Sequence, residues 1–355
     1  MGFSKLTLVL LTLCLISTLT AAATFNCSAP TTSSNCRALV DYVTPNATTY
    51  NSVKTLFNIT HLRDLLGANN LNLSTRFDSP VPALQTLRIP FKCLCANGTG
   101  VSNRRPQYIV KPGDGLDHIA TEVFSRLVTY QEIARVNGIP DPNNILVGQV
   151  LWIPLPCSCD DVDGEKVVHY GHVVAAGSSV QAIADEYGTT QETLLRINGI
   201  ADPKKLQAGQ VLDVPLKACT SSVSNESLDY PLLVPNNTFV FTASNCVKCQ
   251  CSSANNFTLQ CEPSNLNSTM WSTCPSMQCQ DSNQLYIGNT TSSSICNQTT
   301  CAYSGYTNQT ILTKLVAQST CSTPTNASNM GLPGSSWNLL FVSIHLALLC
   351  LYFLR

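Results

Sequence analysis

Two pairs of short segments with the residue types to grip a neutral polar ligand recur at matching places in the chain. The first pair is Pro112-Gly113-Asp114-Gly115-Leu116 with Gly138-Ile139-Pro140-Asp141-Pro142-Asn143-Asn144-Ile145. Glycine-rich turns leave backbone N–H and C=O groups open to amide and hydroxyl functions, and Ile139 and Ile145 offer apolar contact. The second pair is Gly177-Ser178-Ser179-Val180 with Gly199-Ile200-Ala201-Asp202, a weaker candidate because serine replaces the aspartate of the turn.

Nothing in the sequence arranges acid, base and nucleophile as an enzyme would. Asp160, Asp161, Asp163 and Glu165 cluster in a connector without the residue order of a calcium loop, and read as a solvated turn. His169 and His172 stand at a strand start without further ligands, so no metal site is expected. Glu122 and Glu132 fall on predicted helices as solvent-facing residues, and Trp152 reads as packing rather than a stacking platform. We expect no catalytic residue and no cofactor. A net charge of -1 with 12% charged residues excludes a phosphate-tracking nucleic-acid binder.

The elements that position these turns form a repeat. Tyr108 to Leu116 with Ile119-Ala120 resembles His172 to Val180 with Ile183-Ala184, and Arg135 to Pro142 matches Arg196 to Pro203. Both copies close on Gly-Gln-Val-Leu, at Gly148 and Gly209. A fainter copy runs through Val53, Leu56-Phe57 and Leu65 to Leu71 and ends at Ile89-Pro90. Within a copy, alternating apolar residues open a strand, and a Gly-Asp or Gly-Ser turn offers an N-cap to a helix carrying Leu116, Ile119, Ala120 and Val123. A second helix begins near Thr129 and stops at Asn137-Gly138. A strand through Val150 and Trp152 returns to Pro154. The unit is β-α-α-β, and at about 50 residues it buries too little surface to stand comfortably alone.

The ends and the cysteines fix the compartment. Lys5, the apolar run Leu6 to Leu19 and Ala21-Ala22-Ala23 make residues 1–23 a secretory signal peptide. Residues 323–336 form a polar tether with a small-residue site at Asn326, and the apolar tail 337–355 is the signal for exchange with a glycosylphosphatidylinositol (GPI) anchor. A single membrane span is the alternative reading of that tail. Of eighteen cysteines, Cys14 and Cys350 lie in the removed segments, which leaves an even number for pairing in an oxidising compartment. Cys-x-Cys pairs fall in the linkers 93–105 and 157–167, and ten cysteines fall between Cys219 and Cys321. N-glycosylation sequons begin at Asn26, Asn46, Asn58, Asn72, Asn97, Asn225, Asn236, Asn256, Asn267, Asn289, Asn297 and Asn308, with one more at Asn326. None begins between Asn97 and Asn225, which marks a stretch where glycan bulk would obstruct something.

The repeats, the Gly113-Asp114 turn, the Asn137-Gly138 stop and the Gln149 to Pro154 strand resemble lysin-motif (LysM) domains. The triplet with Cys-x-Cys spacers, leader and GPI-type tail resembles plant LysM cell-surface receptors, most closely the chitin elicitor-binding group. The resemblance implies an α+β architecture of three tandem β-α-α-β LysM modules, at 24–92 (degenerate), 106–156 and 168–217, clamped by disulfides. A Cys-rich, mostly β and loop domain at 218–322 follows. It also implies the pairs Cys27 with Cys95, Cys36 with Cys159 and Cys93 with Cys157. The implied function is non-catalytic binding of chitin oligosaccharides, polymers of N-acetylglucosamine, in plant innate immunity at the outer face of the plasma membrane. The implied groove lies between the two segments named first, in the second copy. The first copy lacks the Gly-Asp turn and carries sequons at Asn46, Asn58 and Asn72, so sugar binding does not carry over to it. A lipid-anchored receptor needs a transmembrane partner, for which the resemblance implies a LysM receptor-like kinase, and a long ligand would favour a ligand-bridged homodimer. A peptidoglycan-binding LysM receptor and a wall hydrolase or structural wall protein are the alternatives.

Overall fold

The computed structural model describes residues 25–28, 34–282, 284–294 and 297–319. The expected leader, tether, Asn326 site and apolar tail lie outside the described residues, as do Cys296 and Cys321. Among the described residues no helix is long and apolar enough to cross a membrane.

The N-terminal copy runs β1 (Phe25–Asn26), β2 (Ser34–Val43), β3 (Thr48–Thr49), α1 (Tyr50–Leu56), α2 (Leu62–Ala68), β4 (Pro80–Val81), β5 (Thr86–Ala96) and β6 (Thr99–Ser102). The second copy runs β7 (Gln107–Ile109), α3 (Leu116–His118, continued as a π-helical turn Ile119–Val123), α4 (Tyr130–Val136) and β8 (Val150–Trp152). The third runs β9 (Val167–Val173), α5 (Val180–Tyr187), α6 (Gln191–Ile197) and β10 (Val211–Lys217). Hydroxyl caps start most of these helices: Thr49, Thr129, Ser179 and Thr190 each accept a backbone N–H of the first turn.

Glu132 is not the solvent-facing residue the sequence suggests. Its carboxylate accepts from Thr129 N at 3.0 Å and completes a capping box, and burial raises its pKa against the lowering effect of those bonds.

Strand pairing crosses the copies. One six-stranded sheet has the order β1-β6-β5-β2-β9-β10, with β2 parallel to β9 through Leu39 opposite Tyr170 and Val40 opposite Gly171. The first and third copies therefore share a sheet, while β7 and β8 form their own two-stranded ribbon. The second copy attaches to the first through its core instead. Tyr42, Phe57, Phe124 and Tyr108 form an edge-to-face chain with ring centroids 5.0, 5.6 and 5.9 Å apart, inside one buried cluster spanning both copies.

Three disulfides, Cys27–Cys95, Cys36–Cys159 and Cys93–Cys157, pack side by side where β5 meets the two linkers. They close 68, 123 and 64 residues of sequence separation, which is how modules with small cores are held as one body.

Beyond β10 the chain continues as β11 (Thr238–Thr242), β12 (Val247–Cys251) and β13 (Gln260–Pro263) in an antiparallel sheet, then β14 (Thr290–Ser294), β15 (Asn297–Tyr306) and β16 (Ile311–Ser319). The pairs Cys219–Cys251, Cys246–Cys274, Cys249–Cys261 and Cys279–Cys301 line its core. Helix α2 packs on β11 so closely that any side chain at Gly67 would collide with the Phe239 carbonyl oxygen. The chain divides into two units, Met1–Thr290 with Thr300–Val316 and Thr291–Thr299 with Ala317–Arg355, and the described residues of the second are extended.

Candidate functional site

The turn after β7 is built by a residue that reads, in the sequence, as a helix cap. Asp114 does not cap α3. It lies one residue before the cap position, Gly115, so its carboxylate turns back and accepts from the Tyr108 hydroxyl at 2.9 Å and from Lys111 N at 2.7 Å. His118 stands 3.7 Å from its other oxygen, and the Asp114 side chain is only 7% exposed. Burial, and then the Asp114 carboxylate, push the Tyr108 phenol well above its ordinary range. The aspartate is a brace that shapes the turn, its carboxylate spent within the chain. Helix α3 consequently starts without a side-chain cap, whereas Ser179 fills that role for α5 by accepting from Ala182 N at 3.1 Å.

Gly113 and Gly138 sit at φ 87° and 62°, in the left-handed region, and Gly177 and Gly199 repeat this at 84° and 63°. Pro112, Gly113, Gly138, Pro140, Asp141, Asn143 and Asn144 are exposed. Ile139 and Ile145 are half-buried and pack on the same cluster as Leu116, which is only 2% exposed. Leu116, like Val180 at 1%, belongs to the core and can offer a ligand only its backbone. Asp141 is spent locally, accepting from Asn143 N at 3.0 Å and Asn143 Nδ2 at 3.1 Å, so it holds the loop. In the third copy Ile200 is half-buried, Ala201 is exposed, and Asp202 accepts from Lys204 N at 2.9 Å.

The loop after α4 hangs from a clamp that the sequence does not advertise. Asn137 Nδ2 donates to Ile133 O and Trp152 O, both at 2.8 Å, and its Oδ1 accepts from Trp152 N at 2.9 Å. Asn198 makes the same bonds to Leu194 O, Asp213 O and Asp213 N, and Asn69 to Leu65 O, Arg88 O and Arg88 N. In each copy one carboxamide fixes the end of the second helix to the returning strand. Trp152 is half-buried, its indole N–H donating to Ser102 Oγ at 3.4 Å, so its ring serves packing.

The ionisable residues set aside in the sequence are also engaged. His169 Nδ1 lies 2.8 Å from Asp213 Oδ1 and its Nε2 2.8 Å from Asp160 O, while His172 Nδ1 lies 2.8 Å from Asp41 Oδ2. The connector carboxylates are not merely solvated: Asp160 accepts from Ser28 N, Asp161 faces Lys166 at 3.6 Å, and Asp163 holds Thr193 Oγ1 and Arg196. Exposure along the sequons is uniform enough for modification, since none of Asn26 through Asn308 is buried and only Asn58 and Asn236 are half-buried.

The LysM domain family model matches residues 108–154 and 172–215, the second and third copies. LysM domain-containing GPI-anchored protein 2 of Arabidopsis thaliana is 48% identical over 347 residues, covering 96% of this chain and 96% of that protein. The chitin elicitor-binding protein of Oryza sativa subsp. japonica is 45% identical over 341 residues, covering 94% and 93%. A shorter match, 26% identical, joins 40% of this chain to 22% of chitin elicitor receptor kinase 1 of Physcomitrium patens. By near full-length identity the chain belongs to the plant LysM domain-containing GPI-anchored proteins, held by a lipid anchor at the outer face of the plasma membrane.

Proposed function

We propose that the protein is a non-catalytic receptor for chitin oligosaccharides, which it takes between the turn 112–116 and the loop 138–145 of its second copy. The observation that carries this reading is that exposed residues in both segments, Pro112 and Gly113 in the turn and Gly138, Pro140, Asp141, Asn143 and Asn144 in the loop, accompany an uncapped helix start inside the long interval free of sequons. Backbone N–H groups there suit acetamido carbonyls, and the exposed parts of Ile139 and Ile145 suit acetyl methyls. The third copy, with Gly177, Ser178, Ser179, Val180, Gly199, Ile200, Ala201 and Asp202, is the secondary site, since Ser179 already consumes a first-turn amide. The likeness to a chitin elicitor-binding protein supports this ligand over peptidoglycan.

The first copy is, in this reading, a third LysM module turned to structure. It has the β-α-α-β order and the same asparagine clamp, yet its second helix is covered by β11. A lipid-anchored ectodomain needs a transmembrane partner to signal, and a LysM receptor kinase acting in innate immunity fits, as a protein named chitin elicitor receptor kinase shares sequence with this chain. Long oligomers would bridge two copies of the chain. Isothermal titration with chitin octamer and with a peptidoglycan fragment separates the two ligands, with saturable octamer binding expected. Tight binding of the peptidoglycan fragment alone would reverse the assignment. A chromatographic time course should return the octamer intact, and cleavage products would restore the hydrolase.

A further inference from the structure

A cleft of about 400 Å³ opens between the first and second copies, on the Tyr108, Lys111 and His118 side of the turn 112–116, and nothing above gives it an occupant. Its floor is aromatic and apolar, with Tyr42, Val53 and Tyr108 nearly fully buried beneath it. Its far wall is polar, with His118 and Glu122 exposed on the helix that follows the second-copy turn. An apolar floor between walls rich in polar side chains, Asn46, Thr48, Ser52, Lys111, His118 and Glu122, suits one or two sugar residues, and the volume is at the lower end of the ~300–1,000 Å³ usual for small-ligand sites.

The near wall carries the attachment point itself. Asn46 and Thr48, the acceptor and the hydroxyl residue of one sequon, both line the cleft. Asn46 is exposed, and its side chain makes no hydrogen bond with the rest of the described residues. Its neighbour sequon differs: Asn58 Nδ2 donates to Thr55 O at 3.2 Å, and its Oδ1 accepts from Gln107 N at 2.5 Å. Of these two acceptors, one has its amide nitrogen spent and the other has it open beside a sugar-sized cleft.

We infer that the cleft holds the first N-acetylglucosamine residues of the glycan attached to Asn46, which fill the gap between the first and second copies. The sugar then acts as a covalent wedge, with its acetamido group against the aromatic floor and its hydroxyls toward Glu122 and His118. This inference does not rest on the chitin reading, because it concerns the chain's own glycan, and the cleft adjoins the turn 112–116 only through Tyr108, Lys111 and His118, which brace it.

The full chain, expressed in plant cells and purified in detergent, provides the test. Glycopeptide mass spectrometry reads occupancy, and digestion with peptide N-glycanase is followed before and after denaturation. The Asn46 glycan should be present and released about tenfold or more slowly from the native protein than after denaturation, as a local opening cost of ~1.4 kcal/mol would give. The exposed sites at Asn72 and Asn97 should show no such protection where occupied. Glu122→Trp, which crowds the cleft from its exposed wall, should make the Asn46 glycan releasable in the native state, while Thr48→Ser should keep both glycan and protection. An unmodified Asn46, or native release at the denatured rate, overturns the inference.

Discussion

The carboxamide of Asn137 grips both backbone groups of Trp152, donating to its carbonyl at 2.8 Å and accepting from its N–H at 2.9 Å. Fifteen residues apart in sequence, the two close the ring that contains the whole 138–145 loop. The candidate site is thereby positioned by an amide whose hydrogen bonds all go to the chain's own backbone. Asn137→Ala removes three hydrogen bonds and leaves half-buried backbone groups unpaired, which should cost about 2–3 kcal/mol. Thermal denaturation of the variant should show this loss, with chitin binding weakened in parallel as the loop loosens. An unchanged melting temperature would show that the clamp is dispensable.

The disulfide knot makes a second prediction. Replacing Cys93 and Cys157 together by alanine frees a closure of 64 residues in the unfolded chain, which should lower stability by about 2–4 kcal/mol. Denaturant unfolding of the double variant measures it, and a loss under about 0.5 kcal/mol would mean that the neighbouring bridges already impose the constraint.

Buried His169 predicts a pH dependence of defined sign. Burial alone would lower its pKa, but the Asp213 charge and hydrogen bond, with the Asp160 carbonyl, outweigh it and raise the pKa above the ordinary 6.5. Both partners only accept, so the ring is held as an imidazolium. Such a group adds stability that is fully present below about pH 6.5 and is lost as pH rises through the folded pKa. Melting temperature should therefore fall from pH 6 to pH 8, and His169→Gln should flatten this slope. The same substitution strands Asp213 in the interior and should cost about 3–5 kcal/mol at pH 6. A wild-type slope of opposite sign would contradict the pairing.

These relationships differ in how far the sequence exposes them. The β-α-α-β order of the second and third copies is readable because two copies align, so that Leu116, Ile119 and Ala120 and their counterparts mark one apolar face. The clamp is not readable, because Asn-Gly after a helix is equally a common stop signal and only the folded register brings Asn137 to Trp152. Asp114 reads as a cap for a related reason: caps and turn braces use the same residue types, and a shift of one residue decides between them. The parallel contact of β2 with β9 is invisible to local patterns, being set by packing between copies about 130 residues apart. The exposed glycines and prolines of the candidate site, Pro112, Gly113, Gly138 and Pro140, follow from turn chemistry alone.

The central claim is that the loop 138–145 must stay bare because sugar lies against it. Leu146 is 70% exposed, so Leu146→Thr is tolerated structurally and completes a sequon that makes Asn144 a glycan acceptor on that loop. Leu146→Ala is the matched control without a glycan. Titration of chitin octamer into both glycoproteins decides the matter. Binding should weaken on the order of 100-fold or more, ~2.7 kcal/mol, in Leu146→Thr once mass spectrometry confirms its glycan, and should stay within about threefold of wild type in Leu146→Ala. Wild-type affinity in a fully glycosylated Leu146→Thr protein would contradict the account and move the ligand to another surface.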